Sequence, residues 1–435
     1  MSEQGYQPHL LRSAVAGHVG GGTPSRQVPS YWRGNIPWAS VKDFPEQSGV
    51  INNTEEHIST SGLNSSASNL ISAGTPLVCT RMAVGRAAMP SVPMAINQDV
   101  KALFPATGVS PEYLLKLLQF IQPKAAAQAV GSTVKGIRIQ DYLDIKTPIA
   151  DTNAQPVIAR VLNTLDTAIH ETEAIIAKLK AVKQGLLHDL LTRGIDANGE
   201  LRPPQAEAPH LYKQSPLGLI PKEWGLKPLG QILAEPTKNG LYKPSQFHGR
   251  GPLMVQMGGL FAGDAATFST ATRVQVTPFE FNTFGLSEGD LLFARRSLVF
   301  EGAGQCVIVR SLPEQATFES SIVRVRVRQN EARPEFVCQF LRGHRSNAQR
   351  RTLIRQVAVS GVSGADIREL LIALPSLEEQ GWVISRQLGM QARIDLELAS
   401  VAKLRSQKAG LMGDLLTGHV RVTPLLAEAA QQGSA

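Results

Sequence analysis

His188 and Asp189 stand side by side near the middle of the chain and have the residue types of an acid–base pair. Consecutive residues of a helix point about 100° apart, so the two do not face each other if the leucine-rich stretch KQGLLHDLLTRG around them is helical. The glycine-rich stretch GHVGGGTPS (17–25) has no lysine to reach a phosphate, and no GxxxxGK[ST] loop exists. HExxH is absent, and Cys79, Cys306 and Cys338 form neither a CxxC nor a zinc spacing. No Pro-Asp dipeptide opens a nuclease carboxylate motif. No Asn/Asp-Pro-Pro-aromatic motif offers amino-methyl transfer. The expected chemistry is therefore binding, with no catalytic residue and no metal ligand in this chain.

The residues suited to binding lie in polar loops. SYWRGNIPWASVKD (30–43) interleaves aromatics with Arg33, Asn35 and Lys42. Arginine and lysine suit phosphates and guanine edges, and asparagine and glutamine suit adenine. TRMAVGR and INQD add Arg81, Arg86, Asn97 and Gln98, and VKGIRIQ adds Lys135 and Arg138. Further along, EPTKNGLYKPS offers Lys238, Asn239, Tyr242 and Lys243, and ARRS offers Arg295, Arg296 and Ser297. SSIVRVRVRQ (320–329) alternates Val323, Val325 and Val327 with Arg324, Arg326 and Arg328. That alternation predicts a half-buried strand turning its arginines to one side, so Arg324 and Arg326 join the set. Ser360 and Ser363, in VSGVSGAD, complete it. Trp32 and Trp38 are expected to pack under a loop. A net charge of +8 suits a polyanionic partner without demanding one.

Two long elements must position these loops, and they are nearly the same element written twice. Residues 179–192 and 404–417 align without a gap, sharing Leu179/Leu404, Lys183/Lys408, Gly185/Gly410, Leu186/Leu411, Asp189/Asp414, Leu190/Leu415, Leu191/Leu416 and Thr192/Thr417. His188 is not repeated, since Gly413 stands in its place. Fainter echoes pair 134–148 with 362–375, 110–120 with 333–343 and 72–81 with 287–296. A unit of roughly 200 residues is thus duplicated, with loops varying more than framework.

Each unit ends in a 4-3-4-3 pattern. In the first copy the pattern runs Ile158, Leu162, Leu165, Ile169, Thr172, Ile176, Leu179, Lys183, Leu186, Leu190. In the second it runs Val383, Gln387, Met390, Ile394, Glu397, Val401, Leu404, Lys408, Leu411, Leu415. A seam sustained over four heptads predicts two helices that pack on each other as an antiparallel coiled coil, with coincident polar breaks helping to fix register. Gly194 and Gly418 stop them. The repeated Asp189 and Asp414 lie near the helix ends, where the dipole does not favour a carboxylate, which hints at a partner contact.

The fold expected is α+β: two similar domains of mixed, twisted β-sheet with short helices and long loops, each followed by a long helix. The boundaries read as 1–150 for the first domain, 151–194 for the first helix and 195–215 for a Pro-rich linker. The second domain follows at 216–375, then the second helix at 376–420 and a frayed tail at 421–435. Few cysteines, an N-terminus MSEQGYQPHL without a signal pattern, and no apolar run of membrane length point to a cytoplasmic protein.

LKAVKQGLLHDLLTRGIDANGELR and KLRSQKAGLMGDLLTGHVRV resemble the two conserved helical regions of the specificity subunits of type I restriction-modification enzymes. YWRGNIPWASVKDF, AINQDVKALFP and PLGLIPKEWGLKPLG resemble the framework of their target recognition domains. The resemblance implies a non-catalytic subunit that reads the two halves of a split double-stranded DNA target. It implies docking to two methyltransferase subunits, and through them to translocating endonuclease subunits. S-adenosylmethionine would belong to the former, and ATP and Mg to the latter, with no cofactor in this chain. A related methyltransferase–nuclease system, or a scaffold or decoy that binds no DNA, would use the same plan. One departure is that the first domain lacks the lead-in that the second shows at Ile220–Trp224.

Overall fold

The computed structural model describes residues 5–46, 49–297, 300–356 and 360–422, with the backbone alone for 355, 356 and 360. The chain forms two compact units. The first comprises Met1–Ile176 with Leu396–Ala435, and the second comprises Ala177–Asp395. The division falls within the two long helices, Gln155–Thr192 and Leu377–Thr417, rather than at 195–215. Residues 195–215 are folded into the second unit. There Ile195, Ala208 and Tyr212 are buried, and Tyr212–Lys213 pairs with Ile220–Pro221.

Both units are α+β and share one strand order. In the first, Val15–Gly20, Val100–Pro105, Leu77–Cys79 and Ala87–Pro90 are neighbours in that order, with Val50–Ile51 added parallel at the edge. In the second, Lys238–Asn239, Ile322–Val325, Leu291–Ala294 and Cys306–Ile308 repeat the order, all antiparallel. Each sheet covers an apolar core closed by one helix. Pro111–Gln128 buries Tyr113, Leu114, Leu117, Leu118 and Ile121 in the first unit, and Pro334–Arg342 buries Phe336, Val337 and Phe340 in the second. The first unit does have a leading strand. Pro8–Leu10 pairs with Lys146–Pro148 just as Gly225–Pro228 pairs with Leu371–Leu374.

The seam is buried at its own period. In the first unit Leu162 and Leu415 lie in the main core, with Leu411 packed against it. Ile169, Ile176, Val401 and Leu404 make a separate cluster between the two antiparallel helix segments, and Leu165 is half-buried. In the second unit Leu190 and Val383 are core residues with Leu186 beside them, Ile394 is buried, and Leu179 and Met390 are half-buried. The polar breaks have definite partners. Lys408 binds Asp166 in the first unit, and Lys183 donates to Gln391 in the second. Each pair therefore occupies corresponding places of the repeat.

The duplication extends to single hydrogen bonds. Gln155 Nε2 donates to the Ala150 carbonyl at 2.9 Å, and its Oε1 accepts from the Ser110 amide at 3.4 Å. Gln380 Nε2 donates to the Pro375 carbonyl at 3.0 Å, and its Oε1 accepts from the Arg333 amide at 2.7 Å. Each glutamine thereby ties the start of a long helix to the start of the core helix of its own unit. Gly194 and Gly418 end the long helices in left-handed backbone, at φ 68° and 76°. A Cβ on Gly194 would also collide with Glu379 Oε1 and Trp224.

Candidate nucleic-acid interface

Among the described residues no cluster of His, Cys, Asp and Glu is arranged to hold a metal ion, and no helix is long and apolar enough to cross a membrane. The polar loops are the remaining candidates. In the first unit, Trp38 is buried, and its indole Nε1 donates to the Gly22 carbonyl and to Ser68 Oγ, both at 3.1 Å. Trp32 stands edge-on to it with centroids 5.1 Å apart. This packed pair fixes the loop that leaves Arg33, Asn35 and Lys42 exposed. Arg26, overlooked in the sequence, stacks its guanidinium 3.6 Å from the Trp32 ring and grips Glu56 with both nitrogens. That hydrogen bond holds the Glu56 carboxyl below its ordinary value. The Arg26/Glu56 grip could not be read from two residues 30 positions apart.

A second cluster forms where two loops of the first unit meet. Arg81 bridges Gly136, the Met82 amide donates to the Lys135 carbonyl at 2.9 Å, and Val130 and Gly136 close a tight hairpin around 131–135. The whole hairpin loop is exposed, and Lys135, Arg138 and the outer half of Arg81 share its surface. Met82 holds left-handed backbone at φ 64°, a strained choice for a side-chain-bearing residue. The second unit repeats the pairing, with Arg296 opposite Gly361 and the Val362 amide donating to the Arg295 carbonyl at 3.0 Å. Arg296 is exposed, Arg295 and Ser297 are half-buried, and the side chain of Ser360 lies outside the described residues.

Other candidates turn inward. Asn97 is buried, and its side-chain oxygen accepts from the Asp99 amide at 3.0 Å, presenting Asp99 to Arg81 at 3.2 Å. Asn97 thus positions a neighbour, whereas Gln98 beside it is exposed and accepts from Thr23. Arg86 donates to the Phe44 carbonyl at 3.3 Å and lines a cavity of about 550 Å³ with Arg405 and Lys408. Ser363 caps the short helix Gly364–Arg368 in a reciprocal box with Asp366.

The arginine strand corrects the sequence expectation most sharply. Arg324 is 2% exposed and donates to Glu235 at 2.6 Å and to the Gly285 carbonyl at 2.5 Å. Arg326 binds both oxygens of Asp290, at 2.6 and 3.0 Å, and Arg328 binds Glu331 at 2.6 Å. Glu235, Asp290 and Glu331, with carbonyls of 231–233 and 283–285, receive the side chains of the face opposite the valines, so these arginines knit the second unit together. Lys243 is likewise spent on Glu280 at 2.7 Å. Lys238 is half-buried, Asn239 is exposed, and Tyr242 projects with 78% of its surface free.

Asp189 pairs with Arg193 one turn on at 3.2 Å, an arrangement that Gly418 denies to Asp414. His188 is exposed and lines a cavity of about 360 Å³ with Phe340, Arg342 and His344.

Exposed cations of this kind can bind a polyanion in each unit. Residues 15–181 match the profile of the type I restriction modification DNA specificity domain. Over 218 residues the chain is 27% identical to the type I restriction enzyme MjaIX specificity subunit of Methanocaldococcus jannaschii. That alignment spans 49% of this chain and 49% of that protein, about half of each. Among solved structures, the S subunit of a type I restriction-modification system from M. genitalium shares the fold. Its TM-score is 0.54 at 14% identity, over 96% of this chain and 97% of that one. A structure described as showing complex assembly and conformational transition of the type I restriction-modification system aligns with TM-score 0.60 at 15% identity. It covers 96% of this chain and 98% of its counterpart.

Proposed function

We propose that this chain is a specificity subunit of the type I restriction-modification kind, which it resembles over residues 15–181, and that it reads a bipartite duplex target, one half with each unit. The observation that carries the reading is the doubled glutamine clamp at Gln155 and Gln380, set in two units of common strand order whose exposed loops differ. A shared frame with dissimilar loops is what two different half-sites require, because sequence is read by side chains at base edges, while contacts to phosphates set only register. The exposed Arg33, Asn35, Lys42, Gln98, Lys135 and Arg138 would serve the first half, and Asn239, Tyr242 and Arg296 the second.

The chain itself performs no chemistry in this reading. Two methyltransferase subunits dock on it and bind S-adenosylmethionine. Endonuclease subunits, with ATP and Mg, join through them. The decisive test is the methylation pattern of DNA from cells that produce this chain with its methyltransferase subunits. A split motif with a constant gap is expected. A continuous motif, or no methylation that depends on this chain, overturns the proposal.

A further inference from the structure

The two most exposed large apolar side chains among the described residues, Phe279 at 80% and Tyr242 at 78%, flank a single ion pair of the second unit. Each directly precedes a partner of the Lys243–Glu280 ion pair, which joins the loop carrying Tyr242 to the helix Pro278–Phe284 carrying Phe279. Neither aromatic sits on loose backbone. Before Tyr242, Leu241 is buried and its amide donates to the Phe318 carbonyl at 2.8 Å. After Tyr242, the Lys243 carbonyl meets His248 Nε2 at 3.0 Å. Phe279 stands in the first turn of its helix, which is fastened by the reciprocal Thr277–Glu280 cap. Two aromatic side chains are therefore held in water by a rigid platform, an arrangement that isolated folding does not favour and that marks a contact surface.

The surroundings of the pair define its occupant. The strand His248–Val255 bulges between His248 and Leu253, and Gly249 and Gly251, at φ 99° and 95°, bracket the exposed Arg250 there. Arg250 lies against the neutral amide of Gln275, so its charge is not cancelled by that contact. The carboxylate of the ion pair, Glu280, is taken up by Lys243, while Arg250 and His248 are exposed on the strand that follows the loop carrying Tyr242. Cationic and aromatic groups presented together suit a nucleic acid, whose bases offer apolar faces and methyl groups and whose phosphates offer charge. In the first unit, by contrast, Trp32 and Trp38 are packed against each other.

The geometry points to Tyr242 and Phe279 as base-contacting residues, an aromatic wedge that reads one half of the DNA target while Arg250 holds the adjoining phosphate. This rests on the proposal that the chain reads a two-part duplex.

The test uses the full chain assembled with its methyltransferase subunits and a pool of 40-bp duplexes with randomised sequence. Bound DNA is sequenced for wild type, Tyr242→Ala, Phe279→Ala, Tyr242→Phe and Phe279→Tyr. Each alanine variant is expected to lower enrichment about 5- to 100-fold at positions within one half of the target, leaving the other half and the melting temperature as in wild type. The aromatic replacements should restore the lost preference. Unchanged base preference in both halves overturns the wedge while leaving the two-part reading intact. So does loss of methyltransferase assembly with base preference preserved in the assembled fraction, which would mark the patch as a protein contact. If wild type itself enriches no sequence, the reading of DNA fails, and the wedge with it.

Discussion

Replacing Glu379 with alanine should unfold the second unit well below the wild-type temperature. This carboxylate receives Arg202 at 2.6 and 3.1 Å, the Ile195 amide at 2.8 Å and the Trp224 indole at 3.1 Å. All of these groups are buried, and the start of one long helix is thereby tied to the segment that follows the other within that unit. Truncation leaves the Arg202 guanidinium without its principal counter-charge, and removing one partner of a buried pair costs about 3–5 kcal/mol. For a unit of this size, each kcal/mol lowers Tm by about 2–4 °C. A central cost of about 4 kcal/mol gives a fall of roughly 8–16 °C. Replacing both charges, as in Arg202→Met with Glu379→Leu, should recover the part of the loss due to the stranded guanidinium, while the Ile195 amide and Trp224 indole still lack their acceptor. Differential scanning calorimetry at neutral pH measures both. A shift under 2 °C for Glu379→Ala, or a double variant as unstable as the single, would refute the assignment of this carboxylate as the organising group.

Arg324→Ala should lower the stability of the second unit by several °C, because Glu235 and two carbonyls lose a buried donor, whereas Arg81→Ala should leave melting unchanged. In binding assays, Arg81→Ala and Arg296→Ala should each weaken contact at one half-site only, and an equal effect on both halves would contradict the two-unit reading. Leu404→Asp places a charge against Ile169, Ile176 and Val401 and should cost more than 2 kcal/mol of stability in chemical denaturation. Glu56, held below the ordinary glutamate value of about 4.5 by the Arg26 hydrogen bond, contributes stability that is complete above that pH and lost as pH falls through the lower folded value. The stability gap between wild type and Glu56→Gln should therefore close below about pH 4.5, which acid denaturation monitored by circular dichroism would follow.

The sequence by itself determined the features that depend on local periodicity and on internal comparison. The helical seam from Leu162 to Leu190 and its copy from Gln387 to Leu415 could be read because a packed helix repeats its apolar face every three to four residues. Gly194 and Gly418 could be read as stops because a left-handed turn favours glycine. Duplication also exposed Lys183 and Lys408 as equivalent before their partners were known. Alternation misled at Arg324 and Arg326. A period of two separates the faces of a strand but does not say whether the second face meets water or the segment 283–290. The Pro-rich stretch 195–215 looked like a linker because its composition is polar, yet Arg202 finds Glu379 177 residues away. Tertiary structure alone decided which cations are spent on carboxylates, as Lys243 is on Glu280, and which remain free to meet a partner. That outcome depends on pairings between distant residues, which no local pattern encodes.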